Sequence, residues 1–372
     1  MQGVISLSVI VKELKLYQFK NHENISLSFG DKINAITGSN GIGKTNILDA
    51  IFYLGNTKSY FNPSDKQIIS LGCSETSIFG KVTKDQEYEL LGVFGENRKK
   101  TFKKNGKPYT RLVDHIGFLP SVFITPYDIS LVFEGSEERR RFMDFTISQI
   151  NKEYLTELIR YRKVLDQRNA YLKSCEGRSV DPILLEGFDE KLAYSGHEIH
   201  RVRTSFIADF LPHFQRIHKE LAEEDTSVSF EYFSYISDVK FQDLLRKNRA
   251  LDIAAQRTSS GTHKDDLIFE MAGMPLKKFG SQGQIKSYVV ALKLAQYEFL
   301  SKQTGDKPLL LLDDIFEKID EQRSKRLMEL VCSDRFGQIF ISDTHHERVK
   351  EHFDPFGVDF KQIRIGSESL TE

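Results

Sequence analysis

The chain has 372 residues, 40% of them hydrophobic and 28% charged, proportions that fit a folded globular protein of about two to three domain-sized units and exclude a disordered or fibrous one. A formal net charge of −1 and an isoelectric point near 6.8 exclude the strongly basic footprint by which bulk charge holds nucleic acid, so any such contact must come from local patches. Cys73, Cys175 and Cys332 are far apart and lack CxxC or Cys/His spacing, which supports neither a disulfide framework nor a zinc site.

In chain order, VIVKELKLYQF, NISLSF and INAIT between residues 9 and 37 read as strands, and KTNILDAIFYLG as the helix that follows. Residues 75–125 carry short strands such as EYELLGVF and SVFIT, with a hairpin turn expected at Asn105-Gly106, and read as a β-rich lobe. From residue 137 to 222 the pattern changes to charged stretches with apolar residues three or four apart, as in RRRFMDFTISQINKEYLTELIRYRKVLDQRNAYL, which predicts amphipathic helices. The break SCEGRSVDP at 174–182 carries Gly and Pro and divides them into an antiparallel pair. Strands return after residue 227 in SVSFEYFSYI and DLIFEM, followed by a helix over 282–301, the apolar strand PLLLL, a further helix, QIFIS and FKQIRI. There is no apolar run of about 18 residues, and the N-terminal MQGVISLSVIV is too short and poorly flanked for a secretory signal, so a soluble cytoplasmic protein is expected.

The strongest local signal is Gly38-Ser39-Asn40-Gly41-Ile42-Gly43-Lys44-Thr45, a G-x-x-x-x-G-K-T loop between the strand INAIT and the helix TNILDAIF. Glycines let the backbone wrap a phosphate, and the freed N–H groups and helix N-terminus attract its charge. Lys44 then reaches the outer phosphates and Thr45 offers a hydroxyl to Mg2+. The second signal is Leu309-Leu310-Leu311-Leu312-Asp313-Asp314, an apolar strand ending in two acids at its carboxyl edge, where ligands bind in α/β sheets. Asp313 is the candidate Mg2+ ligand. Asp314 and Lys44 are the candidate catalytic residues, the acid polarising the attacking water. The bland alternative is an acidic pair that caps the next helix.

More than two thirds of the chain separates Lys44 from Asp313, so something large is inserted between them. That arrangement resembles the ABC ATPase superfamily. Phe279-Gly280-Ser281-Gln282-Gly283-Gln284-Ile285-Lys286 stands where the superfamily has its signature, opening a helix shortly before the acidic strand. The resemblance implies that Ser281, Gln282 and Gly283 grip the γ-phosphate held by a second subunit, as a small Ser-x-Gly turn at a helix N-terminus is suited to do; the plain alternative is an ordinary helix cap. It further implies a D-loop at Glu317-Lys318-Ile319-Asp320 and a switch at Ser342-Asp343-Thr344-His345, where His345 is a γ-phosphate sensor or a solvated loop residue and His346 faces solvent.

Within that superfamily the chain resembles the RecF family of SMC-like proteins. The resemblance rests on Val11 to His22 followed by INAITGSNGIGKTNILDAIFYL, with Asn46 after the P-loop threonine. It extends to Asn56 to Tyr60, Pro126 to Val132, Arg139-Arg140-Arg141-Phe142-Met143-Asp144 and Gly261-Thr262-His263-Lys264-Asp265-Asp266-Leu267. Lys20 replaces the family's usual arginine, Thr262 its proline and Glu317 a common serine. Only about 90 helical residues are available for the insertion, against the long heptad coiled coils of SMC proteins. The resemblance implies an α/β, ABC-type P-loop ATPase head with a β-rich lobe (residues 1–136 and 226–372) and an inserted helical lobe (137–225). It also implies ATP and Mg2+, an ATP-dependent homodimer that clamps double-stranded DNA at gaps or single-stranded junctions, slow hydrolysis, a RecR-like mediator as partner, and no membrane. Arg139 to Arg141 are candidate phosphate contacts or a solvated or salt-bridged helix face, and Lys58, Lys99, Lys100, Lys103 and Lys104 are similar candidates of low specificity. Two rival readings remain: an ABC subunit of a membrane transporter, against which GSQGQ stands in place of LSGGQ, and a binding module that uses ATP without turnover.

Overall fold

The computed structural model describes residues 7–96, 98–176, 179–221, 226–236, 239–315 and 321–366, and counts and absences are of those residues. Contacts divide the chain into two compact units, the first comprising Met1–Ile129, Ile217–Glu223 and Gln282–Glu372 and the second Ser130–Arg216 and Glu224–Ser281. In chain order the first unit opens with β1 (Leu7–Ser8), β2 (Ile10–Phe19), β3 (His22–Ser28), β4 (Ile33–Thr37), α1 (Lys44–Asn56), β5 (Glu75–Thr83), β6 (Glu87–Gly95), β7 (Arg98–Lys104), β8 (Lys107–Pro108) and β9 (Ser121–Ile124). The second holds α2 (Ser130–Phe133), α3 (Ser136–Ser148), α4 (Lys152–Ser174), α5 (Pro182–Leu221, its last residues counting with the first unit), β10 (Val228–Phe233), α6 (Phe241–Lys247), α7 (Arg249–Ala255), β11 (Asp266–Met271), β12 (Met274–Pro275) and α8 (Leu276–Phe279). The first resumes with α9 (Gln282–Thr304), β13 (Asp306–Lys307), β14 (Leu309–Asp313), α10 (Glu321–Val331), β15 (Ile339–Asp343), α11 (His346–Phe353) and β16 (Phe360–Arg364).

Five strands of the first unit form a parallel sheet in the order β16-β4-β15-β14-β9. Every residue of β4, β9, β14 and β15 is buried, which explains why INAIT, SVFI, LLLLD and IFISD read as continuous apolar runs and not as alternation: strands covered on both faces have no polar side. The second sheet is antiparallel, in the order β3-β2-β5-β6-β7-β8, and does alternate; in β6, Tyr88, Leu90 and Phe94 are buried while Glu87 and Glu89 face water. The turn between β7 and β8 has Asn105 and Gly106 at φ 49° and 76°, the left-handed pair that a two-residue hairpin requires. SVFIT, read with the β-rich stretch, pairs with β14 in the parallel sheet.

Helix α1 contacts both sheets, and Ile47, Leu48, Ala50, Ile51, Phe52, Tyr53 and Leu54 are buried. Each large apolar side chain among them contributes about 1.5–3 kcal/mol on burial, so the helix is anchored by packing and the loop before it inherits that anchorage. At Gly55 a Cβ would lie 2.6 Å from the Leu119 carbonyl oxygen, so the close approach of the helix to that segment requires glycine.

In the second unit the break at 174–182 separates α4 from α5, as its Gly and Pro predict. The two helices are joined at Arg168, fully buried, whose Nε donates to Asp189 Oδ1 at 2.8 Å and whose Nη1 donates to Asp252 Oδ2 and Thr258 Oγ1 at 2.8 Å. Helices α6 and α7 lie in a stretch where the sequence signals predict no element. The segment Gly261 to Leu267 is a structural centre of this unit. A Cβ at Gly261 (φ 131°) would meet the Tyr161 hydroxyl at 2.4 Å, the Thr262 carbonyl and Asp265 accept from buried Arg203 at 2.9 and 2.7 Å, and Asp266 accepts two bonds from Arg139. Among the described residues no helix is long and apolar enough to cross a membrane.

Candidate nucleotide site

The order β4-β15-β14 places the loop after β4 and the two acids ending β14 at the same, carboxyl edge of one sheet, with β15 between them. The loop turns directly into α1. At Gly43 (φ 108°) a Cβ would lie 2.4 Å from His22 Nε2 and 2.6 Å from Asn21 Nδ2, so glycine alone fits there. The same two residues hold the loop from behind: Asn21 Nδ2 donates to the Ile42 carbonyl at 2.9 Å, His22 Nε2 lies 3.1 Å from the Gly43 carbonyl, and Asn46 Nδ2 donates to Asn21 Oδ1 at 2.7 Å. The Lys44 ammonium donates to the Gly38 and Ser39 carbonyls at 2.9 and 3.1 Å, and so lies over the loop whose backbone would wrap a phosphate.

Thr45 Oγ1 donates to Asp313 at 2.8 Å (Oδ1) and 3.0 Å (Oδ2), and Ser342 Oγ, on β15, donates to Asp313 Oδ1 at 2.6 Å. Ser342 Oγ also accepts the Asp314 N–H at 3.0 Å. Asp314 takes φ 44°, so the chain leaves the strand at that residue. Burial pushes the Asp313 carboxyl above the usual carboxylate range, against the lowering effect of Ser342, Thr45 and the nearby Lys44. A hydroxyl and a carboxylate converging in a partly desolvated position are the hard oxygen donors that Mg2+ takes together with phosphate oxygens, and a divalent cation there would favour the ionised acid. The donor set therefore fits the metal expected for it.

Lys20, Thr45, Asn46, Phe61, Pro126, Tyr127, Asp313 and Asp314 line a cleft of about 400 Å³. Lys20 is not idle there. Its ammonium pairs with Asp49 Oδ2 at 2.7 Å, and Asp49, fully buried on α1, also accepts from Ser59 Oγ at 2.6 Å and the Tyr60 N–H at 2.7 Å. Asp49, Tyr60, Asp128, Asn21 and Ser342 lie in stretches that carry the resemblance, but nothing in those motifs marks them as supporting residues of this site. What they share is polarity inside otherwise apolar or loop segments, which becomes informative only when a partner is seen.

The other sequence candidates are distributed as follows. Ser281 precedes α9, Gln282 opens it and Gly283 follows; Ser281 and Gln282 are exposed. The D-loop candidates Glu317 to Asp320 lie outside the described residues. His345 is exposed, its N–H donates to Asp343 Oδ1 at 2.7 Å and its Nδ1 lies 2.7 Å from Thr344 Oγ1; His346 contacts Gln362 and Arg364. Arg139 makes a bidentate pair with Asp266, and Arg140 donates to the Asp265 carbonyl and Ser136 Oγ at 2.6 Å, so both act within the second unit, whereas the Arg141 side chain is 55% exposed. Lys100 contacts Asp65 and lies 4.8 Å from the Tyr53 ring centre, and Lys104 lies 4.5 Å from that of Phe118. Lys99 and Lys103 alternate with them on β7 and occupy its opposite face.

The family model for the RecF/RecN/SMC N terminal domain matches residues 10–365. The chain is 46% identical over 342 residues to the DNA replication and repair protein RecF of Flavobacterium johnsoniae, covering 91% of this chain and 95% of the relative. To the protein of the same description from Phocaeicola vulgatus it is 41% identical over 367 residues, 98% of each chain. A solved structure of the recombination mediator protein RecF with ATP in the RecFOR pathway is similar at TM-score 0.87 and 28% identity, over 98% of both chains. An Smc head domain derived from Pyrococcus furiosus, 16% identical with TM-score 0.52 over 92% of both chains, shares the fold.

Proposed function

The chain belongs to the RecF/RecN/SMC family of ABC-type ATPases, and within it to the RecF proteins; from that premise we propose that it is an ATP-switched DNA-binding protein of recombinational repair and replication-fork maintenance. Two copies bind two ATP molecules, hold duplex DNA at gaps, and release it on slow hydrolysis, and a RecR-like mediator joins them to assist recombinase loading. In this reading residues 1–136 and 226–372 form the head and 137–225 the inserted lobe, a division by role that differs from the division by contacts, in which 224–281 pack with the helices of 130–216.

The backbone of Gly38, Ser39, Asn40, Gly41, Ile42 and Gly43 wraps the phosphates, Lys44 binds the outer ones, and Thr45 with Asp313 holds Mg2+, with Asn46 fixing the helix start. Mg2+, when bound, offsets phosphate charge. Asp314 orients a water whose oxygen forms a bond to the γ-phosphorus as the bond to the β–γ bridging oxygen breaks; the bridging oxygen leaves with its electron pair on ADP, and the water proton passes to Asp314 and then to solvent. Ser281, Gln282 and Gly283 of a second copy supply hydrogen-bond donors to the γ-phosphate. The observation that supports this most is the contact of Thr45 Oγ1 with both oxygens of Asp313, which joins the P-loop helix to the acidic strand across more than two thirds of the chain.

The test is the molar mass in solution with and without ATP and Mg2+, for the wild type, Lys44→Ala, Ser281→Arg and Asp314→Asn, each with a gapped duplex added. The expected result is an ATP-dependent dimer that retains the duplex, is longer-lived in Asp314→Asn, and is lost in Lys44→Ala and Ser281→Arg. A monomer throughout, indifferent to DNA, overturns the clamp; dimers whose lifetime Asp314→Asn does not change favour a module that binds ATP without turning it over.

A further inference from the structure

Strand β9 runs parallel to β14, with Ile124 opposite Leu312, so the chain leaves β9 at the edge where Asp313 and Asp314 lie. The next residues form a turn, Thr125-Pro126-Tyr127-Asp128, that lines the cleft with Pro126 and Tyr127. Tyr127 is 71% exposed. Its N–H donates to Thr125 Oγ1 at 3.2 Å, its ring stands edge-on to Phe61 at 6.5 Å, and its phenol has no hydrogen-bond partner among the described residues.

Asp128, by contrast, is 5% exposed and heavily engaged. Its Oδ2 accepts the Thr125 N–H at 2.6 Å, and its Oδ1 accepts from the Tyr60 hydroxyl and lies 3.2 Å from Lys293 Nζ. Lys293, itself 4% exposed and on α9, donates to the Tyr60 hydroxyl at 3.0 Å. Burying a carboxylate, an ammonium and a phenol together is a weak source of stability, because desolvation offsets most of the attraction. What such a cluster does supply is a fixed geometry, and the element it fixes is the turn that carries Tyr127.

Resting on the ATPase reading above, we propose that Tyr127 is a further residue of the hydrolytic site, its hydroxyl donating a hydrogen bond to a terminal phosphoryl oxygen of ATP bound against Thr45 and Asp313, and that Asp128 is its positioning residue. The phenol keeps its proton throughout; it stabilises negative charge as the bond to the bridging oxygen breaks, in a place where a preoriented donor acts more strongly than water does. A surface tyrosine beside a purely structural aspartate would give the same picture at rest but different kinetics.

The experiment measures ATP affinity, kcat and melting temperature of the full chain for the wild type, Tyr127→Phe, Asp128→Asn, the double variant and Asp314→Asn. Tyr127→Phe keeps the ring and removes only the donor, so its expected effect is a kcat lower by about tenfold or more with ATP affinity changed less than about threefold. Asp128→Asn lowers kcat likewise, and the double variant falls no further than the single ones, as residues acting as a unit do. Wild-type turnover that Tyr127→Phe leaves intact overturns this inference alone, as does a double variant whose losses multiply, or an Asp128→Asn loss matched by a collapse in melting temperature. A wild type no faster than Asp314→Asn overturns the ATPase reading together with it.

Discussion

Ser342 shows how few atoms set the acidic pair. One hydroxyl on the neighbouring strand donates to Asp313 and accepts the N–H of Asp314, so the first carboxylate is held toward Thr45 while the backbone turns at the second. Lys20 illustrates the opposite dependence, a charge that cannot be spared. Its side chain is 10% exposed and that of its partner Asp49 is fully buried. Lys20→Ala leaves Asp49 with Ser59 and the Tyr60 N–H alone, and removing one partner of a buried pair costs about 3 kcal/mol or more. Urea unfolding of the variant measures this; a loss below about 1 kcal/mol would mean that the two remaining hydrogen bonds satisfy Asp49 by themselves.

At the scale of elements, charge patterns divide by what lies beneath them. On β7, Lys100 and Lys104 flank buried Phe102 and place their ammonium groups over aromatic rings, while Lys99 and Lys103 take the other face, so one basic run is two different features. In the second unit three helices meet at Arg168: α4 supplies it, α5 supplies Asp189 and α7 supplies Asp252, all fully buried, with Arg249 adding a bond to Asp189 at 2.8 Å. Arg168→Met keeps much of the volume but leaves buried Asp252 without its cation and Asp189 with Arg249 alone. The expected cost is about 3–5 kcal/mol, read as a lower denaturant midpoint, and Arg168→Lys recovers only part of it because an ammonium lacks the planar fork that reaches both acids. Full recovery by lysine would show that charge, not geometry, holds the three helices.

For the whole molecule, near-neutrality is the governing quantity. With a formal net charge of −1 and an isoelectric point near 6.8, self-repulsion is weakest close to neutral pH. Solubility is therefore expected to pass through a minimum near pH 7 at low salt and to rise by pH 8.5, which light scattering across that range checks; a flat profile would indicate that local patches outweigh net charge.

The P-loop, the acidic strand and the strands around them were legible because each is encoded locally: a loop whose glycines precede a helix, and short, mostly apolar runs such as INAIT and LLLLD, of a length that suits a strand covered on both faces. The α4–α5 break and the Asn105-Gly106 hairpin were legible for the same reason, since Gly, Pro and Asn constrain backbone angles wherever they stand. The family resemblance, too, lay in the order of short motifs. Only tertiary structure decided which charges were internal and which were exposed. Arg139 and Arg140 became ion-pair and carbonyl partners of residues more than a hundred positions away, Lys20 became the partner of Asp49, and Asp128 found Tyr60 and Lys293. The physical reason is that a polar side chain carries no local mark of burial. Its role depends on a partner supplied by another strand or helix, and that pairing exists only once the chain has folded.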